Sequence, residues 1–241
     1  MNLKNMKIRL PMYFIGLFIM TIGIALSVKS NLGVSPVSSI PYTMTCIWGI
    51  EMGKATIIFH IVLVFIQFLL LRKNFKLITL LQIPVGVIFG YFTTFCNYLA
   101  SFFPTPDNLI VRILMVLASS VIVAVGIFLY LPADVIPLAG EGVMSAVSQV
   151  TKIEFSKIKM GFDITMVVVS AAACLIMIHS LGSVGAGTVI AAFLVGFILG
   201  IINKAFGKYR DKLLKKTPSV QVDEKTDDEQ NPCLLYTSPS P

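Results

Sequence analysis

Residues 29–54 read KSNLGVSPVSSIPYTMTCIWGIEMGK and lie between two long apolar runs. Prolines, glycines and a cluster of serines and threonines interrupt this stretch, so it is not an ordinary membrane-spanning helix. Serine followed by proline is nevertheless a good helix start, because serine caps free N–H groups and proline fits the first turn. We therefore predict a short helix that is capped by Ser35, begins at Pro36 and ends near Gly49.

The composition of the chain indicates a membrane protein. Of its 241 residues, 56% are hydrophobic and only 13% are charged, whereas about a quarter of the residues in a soluble domain are charged. A soluble fold of this size could not bury so many apolar side chains, so the lipid bilayer must be the solvent for much of the surface. The net charge is +7, and the basic residues lie at the ends of apolar runs. This placement indicates membrane orientation, and we expect no nucleic-acid partner.

Six apolar runs are long enough to cross a bilayer as helices. A polar tail at 204–232 is predicted to be disordered and cytoplasmic. The final segment, 233–241, resembles a translated sequencing-adapter read-through and is left out of the fold prediction. The six helices are predicted at about 11–28, 55–71, 77–103, 112–131, 160–178 and 185–202. Small-xxx-small spacings predict close helix contacts at corresponding places in the two halves, from Gly86 to Gly90 and from Gly196 to Gly200.

A second interrupted stretch, at 132–157, resembles the first one. Shifting the chain by 103 residues aligns IEMGKATIIFHI, which starts at Ile50, with IEFSKIKMGFDI, which starts at Ile153. The shared E-x-x-K pattern is less common than apolar matches in a chain of this composition. We therefore predict an internal duplication, with a first repeat at 1–103 and a second repeat at 109–203.

The placement of positive charge decides how the first interrupted stretch meets the membrane. If it crossed the bilayer, Arg72, Lys73 and Lys76 would lie outside the cell, against the positive-inside bias. If it enters and returns on the same side, these three residues lie in the cytoplasm. We therefore predict re-entrant segments at 31–53 and 132–157, which enter from opposite faces.

The predicted fold class is an all-α membrane protein with six transmembrane helices in two inverted three-helix repeats, each with a broken re-entrant segment. Both termini are predicted to be cytoplasmic. Two alternatives remain open at this stage: eight spans in parallel repeats, and extramembrane loops with an amphipathic helix on the membrane surface. Repeated, interrupted segments of this kind are the best sequence pointer to a substrate path in a membrane protein.

Polar side chains at membrane depth are the candidates for that path, because they are costly in lipid unless they face a cavity or a partner. Competing interpretations are an ion pair with Lys159 for Asp163, an interhelical hydrogen bond for His60 and a turn for Asp134. Glu141 lies between two glycines, which allow the backbone to approach closely. The predicted solute or ion path consists of Glu141, Asp134, Asp163, His60, Asn31, Ser35 and Ser38.

Several motifs together resemble one bacterial family. They are SVKSNLGVSPVSSIPYTMT, LLQIPVGVIFGYF, LPADVIPLAGEGVMSAVS and SVGAGTVIAAFLVGFILG. The pattern is similar to the YczE/YitT-type bacterial membrane proteins over about residues 8–203. The resemblance implies an integral protein of the bacterial cytoplasmic membrane with a transport-like role. It implies no substrate and no catalytic residues.

The motifs of common enzyme classes are absent from the sequence. It contains no HExxH, GxSxG, Walker or dinucleotide-binding glycine pattern. We therefore predict that the protein is not an enzyme and uses neither a cofactor nor a metal. The predicted function is a secondary transporter or exporter of an unidentified small solute, coupled to a proton or another cation. The alternatives are a passive channel with two opposed half-helices and a membrane scaffold that assists a partner enzyme.

Cysteine accessibility tests the predicted orientation. Cysteines introduced at Lys73 and Lys157 should be protected from a membrane-impermeant thiol reagent added outside whole cells, whereas a cysteine at Lys54 should react. The reason is that the re-entrant arrangement puts only Lys54 of these three outside the cell. Labelling of the Lys73 position from outside would contradict the re-entrant segment and, with it, the inverted repeats.

Overall fold

The structure is a computed structural model that describes residues 6–180, 182 and 184–214. Its described residues are almost entirely helical, which confirms the all-α prediction. Short 3-10 turns precede α4 and follow α3 and α5. The helices are α1 (Met6–Ser30), α2 (Pro36–Trp48), α3 (Met52–Leu71), α4 (Gln82–Ser101), α5 (Leu109–Tyr130), α6 (Ala139–Thr151), α7 (Phe155–Ile178) and α8 (Ala186–Leu213).

Six of these helices, some with their flanking turns, are long and apolar enough to cross a membrane, as the sequence predicts. The other two, α2 and α6, contain 13 residues each. A helix of that length spans about 20 Å at 1.5 Å per residue, which is less than the roughly 30 Å of a bilayer core. The six candidate spans cover Met6–Ser30, Met52–Leu71, Leu77–Ser101, Leu109–Ala133, Lys157–Ile178 and Gly187–Arg210.

The last helix is longer than predicted. It continues to Leu213, so the prediction of disorder is wrong for residues 204–213. Arg210 and Lys212 lie in its last turn, where cations interact favourably with the negative end of the helix dipole. Of the remaining predicted tail, only residue 214 is described. Residues 215–232 and the adapter-like segment 233–241 lie outside the described residues.

The first short helix has the predicted bounds. It begins at Pro36, and Gly49 ends it in the left-handed conformation at φ 67°, with its N–H bonded to the carbonyl of Thr45. The predicted side-chain cap is wrong, because the Ser35 hydroxyl donates to Ser38 Oγ at 3.1 Å and makes no capping bond. The N–H of Ser38, which a cap would bind, donates to the Ser35 carbonyl at 2.9 Å instead.

The 103-residue shift relates the local structure of the two halves. The short helices run from 36 to 48 and from 139 to 151, so both ends are 103 residues apart. Asn31 and Asp134, which are equivalent positions, both have left-handed backbones, with φ of 51° and 52°. The residues that end the short helices, Gly49 and Lys152, are equivalent and left-handed as well. The same turns therefore precede and follow both short helices.

The E-x-x-K pattern also has the same geometry in both halves. Glu51 precedes α3 and pairs with Lys54 at 3.5 Å, and Glu154 precedes α7 and pairs with Lys157 at 3.8 Å. Both pairs are exposed, so each contributes little to stability. The two pairs mark the starts of equivalent helices in the two halves.

Helices α1 and α5 pack against each other in antiparallel directions. Gly16 lies against Gly126 and Tyr130, and Gly23 lies against Ser119 and Val123. Residue numbers therefore rise along α1 while they fall along α5. The glycines matter here because a side-chain carbon on Gly16 would lie 2.6 Å from the Tyr130 nitrogen and 2.9 Å from the Gly126 oxygen. Only a bare backbone allows this approach.

At the far end of this contact, an arginine closes the last turn of α1. Arg112 on α5 donates its Nε to the Ser30 carbonyl at 2.6 Å and its Nη2 to the Asn31 carbonyl. Both carbonyls lie at the end of α1, where a helix leaves its acceptors unsatisfied. The cation on α5 therefore stabilises the end of α1.

The other helices pack in matching sets, with one exception. The α1–α4 contact corresponds to α5–α8, and the α2–α7 contact corresponds to α6–α3. Helices α3 and α4 pack closely at Gly53, Gly86 and Gly90. Their counterparts, α7 and α8, hardly touch in the described part of the chain. The predicted contact of Gly196 and Gly200 is wrong, since no atom of another described helix lies within 4 Å of a side-chain carbon placed on either one.

Alanine substitution of two glycines tests the α1–α5 contact. Gly16→Ala should lower the free energy of unfolding by about 1–3 kcal/mol, because its Cβ collides with the backbone of α5. Thermal unfolding in detergent measures the change. Gly200→Ala is the matched control, with open space around it, and should leave the melting temperature unchanged or higher. Equal stability of the two variants would contradict the contact.

Candidate functional site

The two short helices meet at their N-termini. A side-chain carbon on Gly140 would lie 3.7 Å from Val37 Cγ1, and these two residues are equivalent at the 103-residue shift. Ala139 and Val143 are buried here, and Val37 and Ile40 pack against the same cluster. Helix N-termini carry unpaired N–H groups and a partial positive charge. Two such termini therefore lie side by side within the fold.

On the α6 side, Tyr130 connects α5 with α1 and with the start of α6. The buried Tyr130 hydroxyl, at the end of α5, donates to Glu141 Oε2 and accepts the Leu138 N–H at 2.6 Å. Tyr13 on α1 packs against the Tyr130 ring at 5.4 Å and donates its hydroxyl to the Ile136 carbonyl at 2.7 Å. These contacts hold Glu141 and the segment before α6 against both central helices.

Glu141 lies in the first turn of α6 and is partly buried. Burial raises the pKa of this carboxyl to about 7, and the Tyr130 hydrogen bond and the Lys159 charge oppose part of that rise. A helix N-terminus also favours a carboxylate over a neutral acid. Glu141 is therefore a group that can gain or lose a proton near neutral pH.

Two glutamines pack against the same end of α6. Gln67 on α3 donates to Gln82 Oε1 at 2.8 Å and to the Ala139 carbonyl at 3.2 Å. Both glutamines are buried. A side-chain carbon on Gly142 would lie 2.5 Å from Gln67 Oε1 and 2.6 Å from Gln82 Nε2. Glycine at 142 therefore allows the glutamine pair to reach the helix backbone.

On the α2 side, serines occupy the equivalent places. Ser170 on α7 is the counterpart of Gln67, and its hydroxyl donates to Ser39 Oγ at 2.9 Å. Ser39 in turn donates to the Pro36 carbonyl at 2.6 Å and is the counterpart of Gly142. The two halves therefore make the same helix contact with different polar groups.

Comparison with known proteins identifies the family. The sequence of residues 7–204 matches DUF6198, a family of unknown function. The chain belongs to this family. The match covers all eight helices except the last turns of α8 and one residue at the start of α1.

A relative of this DUF6198 member is the uncharacterized membrane protein YczE of Bacillus subtilis (strain 168). The two are 24% identical over 197 residues, which cover 81% of this chain and 86% of the relative. This confirms the YczE part of the resemblance, while the YitT part stays a prediction. No solved structure matches the chain.

Three of the seven predicted path residues lie where the short helices begin. Glu141 is in the first turn of α6, and Ser35 and Ser38 flank the start of α2. Ser38 is buried and accepts a hydrogen bond from Ser35. These three residues belong to the candidate site.

The structure places Asn31 and Asp134 elsewhere. Both are exposed and occupy left-handed turns that follow α1 and the 3-10 turn after α5. For Asp134, this agrees with the competing interpretation as a turn residue. Asparagine and aspartate tolerate the left-handed conformation better than most residues, which explains why they occur there.

His60 and Asp163 are equivalent positions with different surroundings. His60 is buried, and its ring stacks on Phe89 of α4 with 5.7 Å between centroids. The predicted interhelical hydrogen bond is not formed at His60 Nδ1, which has no partner among the described residues. Asp163 pairs with Lys159 at 2.8 Å, so the predicted ion pair is confirmed.

Sequence reasoning missed the aromatic part of the site. Tyr130 and Tyr13 lie in apolar runs, where an isolated tyrosine has no distinctive signal. The 103-residue shift offers a signal for Tyr130, because it aligns with Ser27, another polar residue in an apolar run. Within the described ranges, no group of three His, Cys, Asp or Glu side chains could hold a metal ion.

The raised pKa of Glu141 predicts a pH-dependent stability. The folded protein binds this proton more tightly than the unfolded chain does, so stability should fall as the pH rises from about 4.3, the usual carboxyl pKa, towards 7. Glu141→Gln should flatten the change in melting temperature between pH 5 and pH 8, measured in one detergent. Glu51→Gln removes an exposed carboxyl and should keep the full dependence. A Glu141→Gln profile identical to that of the wild type would contradict the assignment.

Proposed function

We propose that this protein is a secondary transporter or exporter of a small solute that works by alternating access between two inverted repeats. The observation that carries the proposal is the meeting of α2 and α6, two equivalent 13-residue helices, at their N-termini. Half-length helices that meet near the middle of a membrane form the solute sites of many transporters.

The antiparallel packing of α1 against α5 supports the inversion. These helices are equivalent in the two repeats, and both are candidate spans. Equivalent spans that run in opposite directions are related by an axis in the plane of the membrane. The same axis makes α2 and α6 re-entrant segments from opposite faces. Irregular backbone at that depth is tolerated because it is buried in protein.

The difference between the repeats favours a transporter over a passive channel. Helices α3 and α4 are packed together, whereas α7 and α8 are apart in the described residues. If α7 and α8 packed together while α3 and α4 separated, the two repeats would exchange arrangements. In inverted repeats, this exchange would close the path on one face of the membrane and open it on the other. A channel with two opposed half-helices needs no such difference. A scaffold for a partner enzyme remains the other candidate function.

Glu141 is the proposed coupling group. With its proton, it is neutral beside the Tyr130 hydroxyl; without it, it is a carboxylate at a helix N-terminus. A change of charge at this point would favour one arrangement of α6 over the other. The proposed location is the cytoplasmic membrane of a bacterium, with both termini in the cytoplasm. The relative YczE is described only as a membrane protein.

Cross-linking tests the exchange of arrangements without knowledge of the solute. Ile57 lies against Gly90 in the packed α3–α4 pair. Met160 is equivalent to Ile57 at the 103-residue shift, and Gly196 aligns with Gly90 at a shift of 106 residues. In a chain without native cysteines, Met160→Cys with Gly196→Cys should form a disulfide in membranes as the α7–α8 pair closes. Met160→Cys with Phe197→Cys, whose side chain is exposed, is the matched control and should cross-link far less.

The two results separate the candidate functions. A disulfide between positions 160 and 196 supports an α7–α8 arrangement like that of α3–α4. Equal, slow cross-linking of both pairs indicates that α7 and α8 never close, as in a static channel or scaffold, and contradicts alternating access.

A further inference from the structure

A small cavity lined by serines lies at the start of α2. It is bordered by α1, α2, α5 and α8 and has a volume of about 10 Å³. This is about the volume that one water-sized group requires. Its polar lining consists of hydroxyls, from Ser27, Ser35, Ser38, Ser119 and Ser120.

One of these hydroxyls has no partner in the described part of the chain. Ser27 donates to the Gly33 carbonyl at 3.1 Å, and Ser120 donates to the Val116 carbonyl at 2.9 Å. Ser119 is only 3% exposed, and its side chain makes no hydrogen bond to any described residue. A hydroxyl that is largely shielded from solvent is favoured by a hydrogen-bond partner. The cavity beside Ser119 therefore has room for a hydrogen-bond partner of this hydroxyl.

The other half of the protein shows what fills this space. At the 103-residue shift, Ser27 and Ser38 are equivalent to Tyr130 and Glu141. There, the phenol and the carboxyl bond to each other and occupy the space beside the helix start. The serines are smaller and leave the corresponding space open. The cavity is therefore the open counterpart of a place that two polar side chains fill in the second repeat.

The lining selects the chemistry of an occupant. No charged side chain is among the described residues that line the cavity. Burying an ion without a partner costs more free energy than a helix N-terminus returns to an anion. Hydroxyl groups can both donate and accept, so they suit a neutral molecule with a donor and an acceptor.

We propose that the serine cavity at the start of α2 binds a small uncharged solute that both donates and accepts hydrogen bonds, with Ser119 as a direct ligand. Its role as the substrate site rests on the proposed transport function, whereas binding itself does not. In this conformation the cavity has room for about one water-sized group, so it takes a single polar head group, such as the oxygen or nitrogen of a simple amide or alcohol.

Thiol protection tests the binding site. The full chain is prepared with Cys46, Cys96, Cys174 and Cys233 replaced by serine, and Ser119→Cys is added. Acetamide at about ten times its dissociation constant should slow modification by a small neutral methanethiosulfonate roughly tenfold. Formate, an anion of similar size, should not slow it. Ser101→Cys, at an exposed serine of α4, is the matched control and should react equally fast with or without acetamide.

Each result bears on the site separately from transport. Equal protection by formate overturns the uncharged class, and an unreactive or unprotected thiol in the Ser119→Cys variant overturns the site. Acetamide entry into proteoliposomes is then measured by light scattering on the protein with an intact Ser119. Protection without entry supports the site and contradicts transport of acetamide, while entry without protection supports transport and overturns the site.

Discussion

The antiparallel contact between α1 and α5 is the constraint on which the rest of the structure depends. Gly16 and Gly126 allow the two backbones to touch, and the neighbouring Tyr13 and Tyr130 rings pack at the same crossing. Within a bilayer, apolar faces gain little from leaving lipid, so helices associate through close packing and hydrogen bonds. The two glycines therefore position α1 and α5 where bulkier residues could not, and α4 packs against α1 while α8 packs against α5.

This contact also brings the two short helices together. The helices α1 and α5 lead into the turns before α2 and α6. The packing of α1 against α5 therefore also positions the starts of α2 and α6, where Val37 lies against Gly140. The surroundings of this meeting point are matched in position and different in chemistry. One side has Tyr130 with Glu141, and the other has serines with a cavity. The two halves thus present unlike polar surfaces at positions 103 residues apart.

Much of the fold could be predicted from the sequence because its signals are local. The bounds of α2 follow from Pro36 and Gly49, which act within one turn of the chain. The Asp163–Lys159 pair follows from a spacing of four residues on one helix. The errors have local causes as well. The hydroxyl of Ser35 reaches Ser38 instead of capping α2, and α8 continues through basic residues that support a helix end. Among the candidate residues, Asn31 and Asp134 are polar, as path residues would be, but they occupy the left-handed turns before the short helices.

The sequence by itself determined the membrane class, the six long helices, the bounds of the first short helix and the 103-residue spacing of matching motifs, because apolar length and helix-end residues act over short distances. Only the tertiary structure decided that Tyr130 bonds Glu141, that Gln67 bonds Gln82, that His60 stacks on Phe89 and that Ser119 faces a cavity. Each of these depends on which faces of distant helices meet. Apolar runs do not encode that choice, since every face of a lipid-embedded helix is apolar enough to be a neighbour.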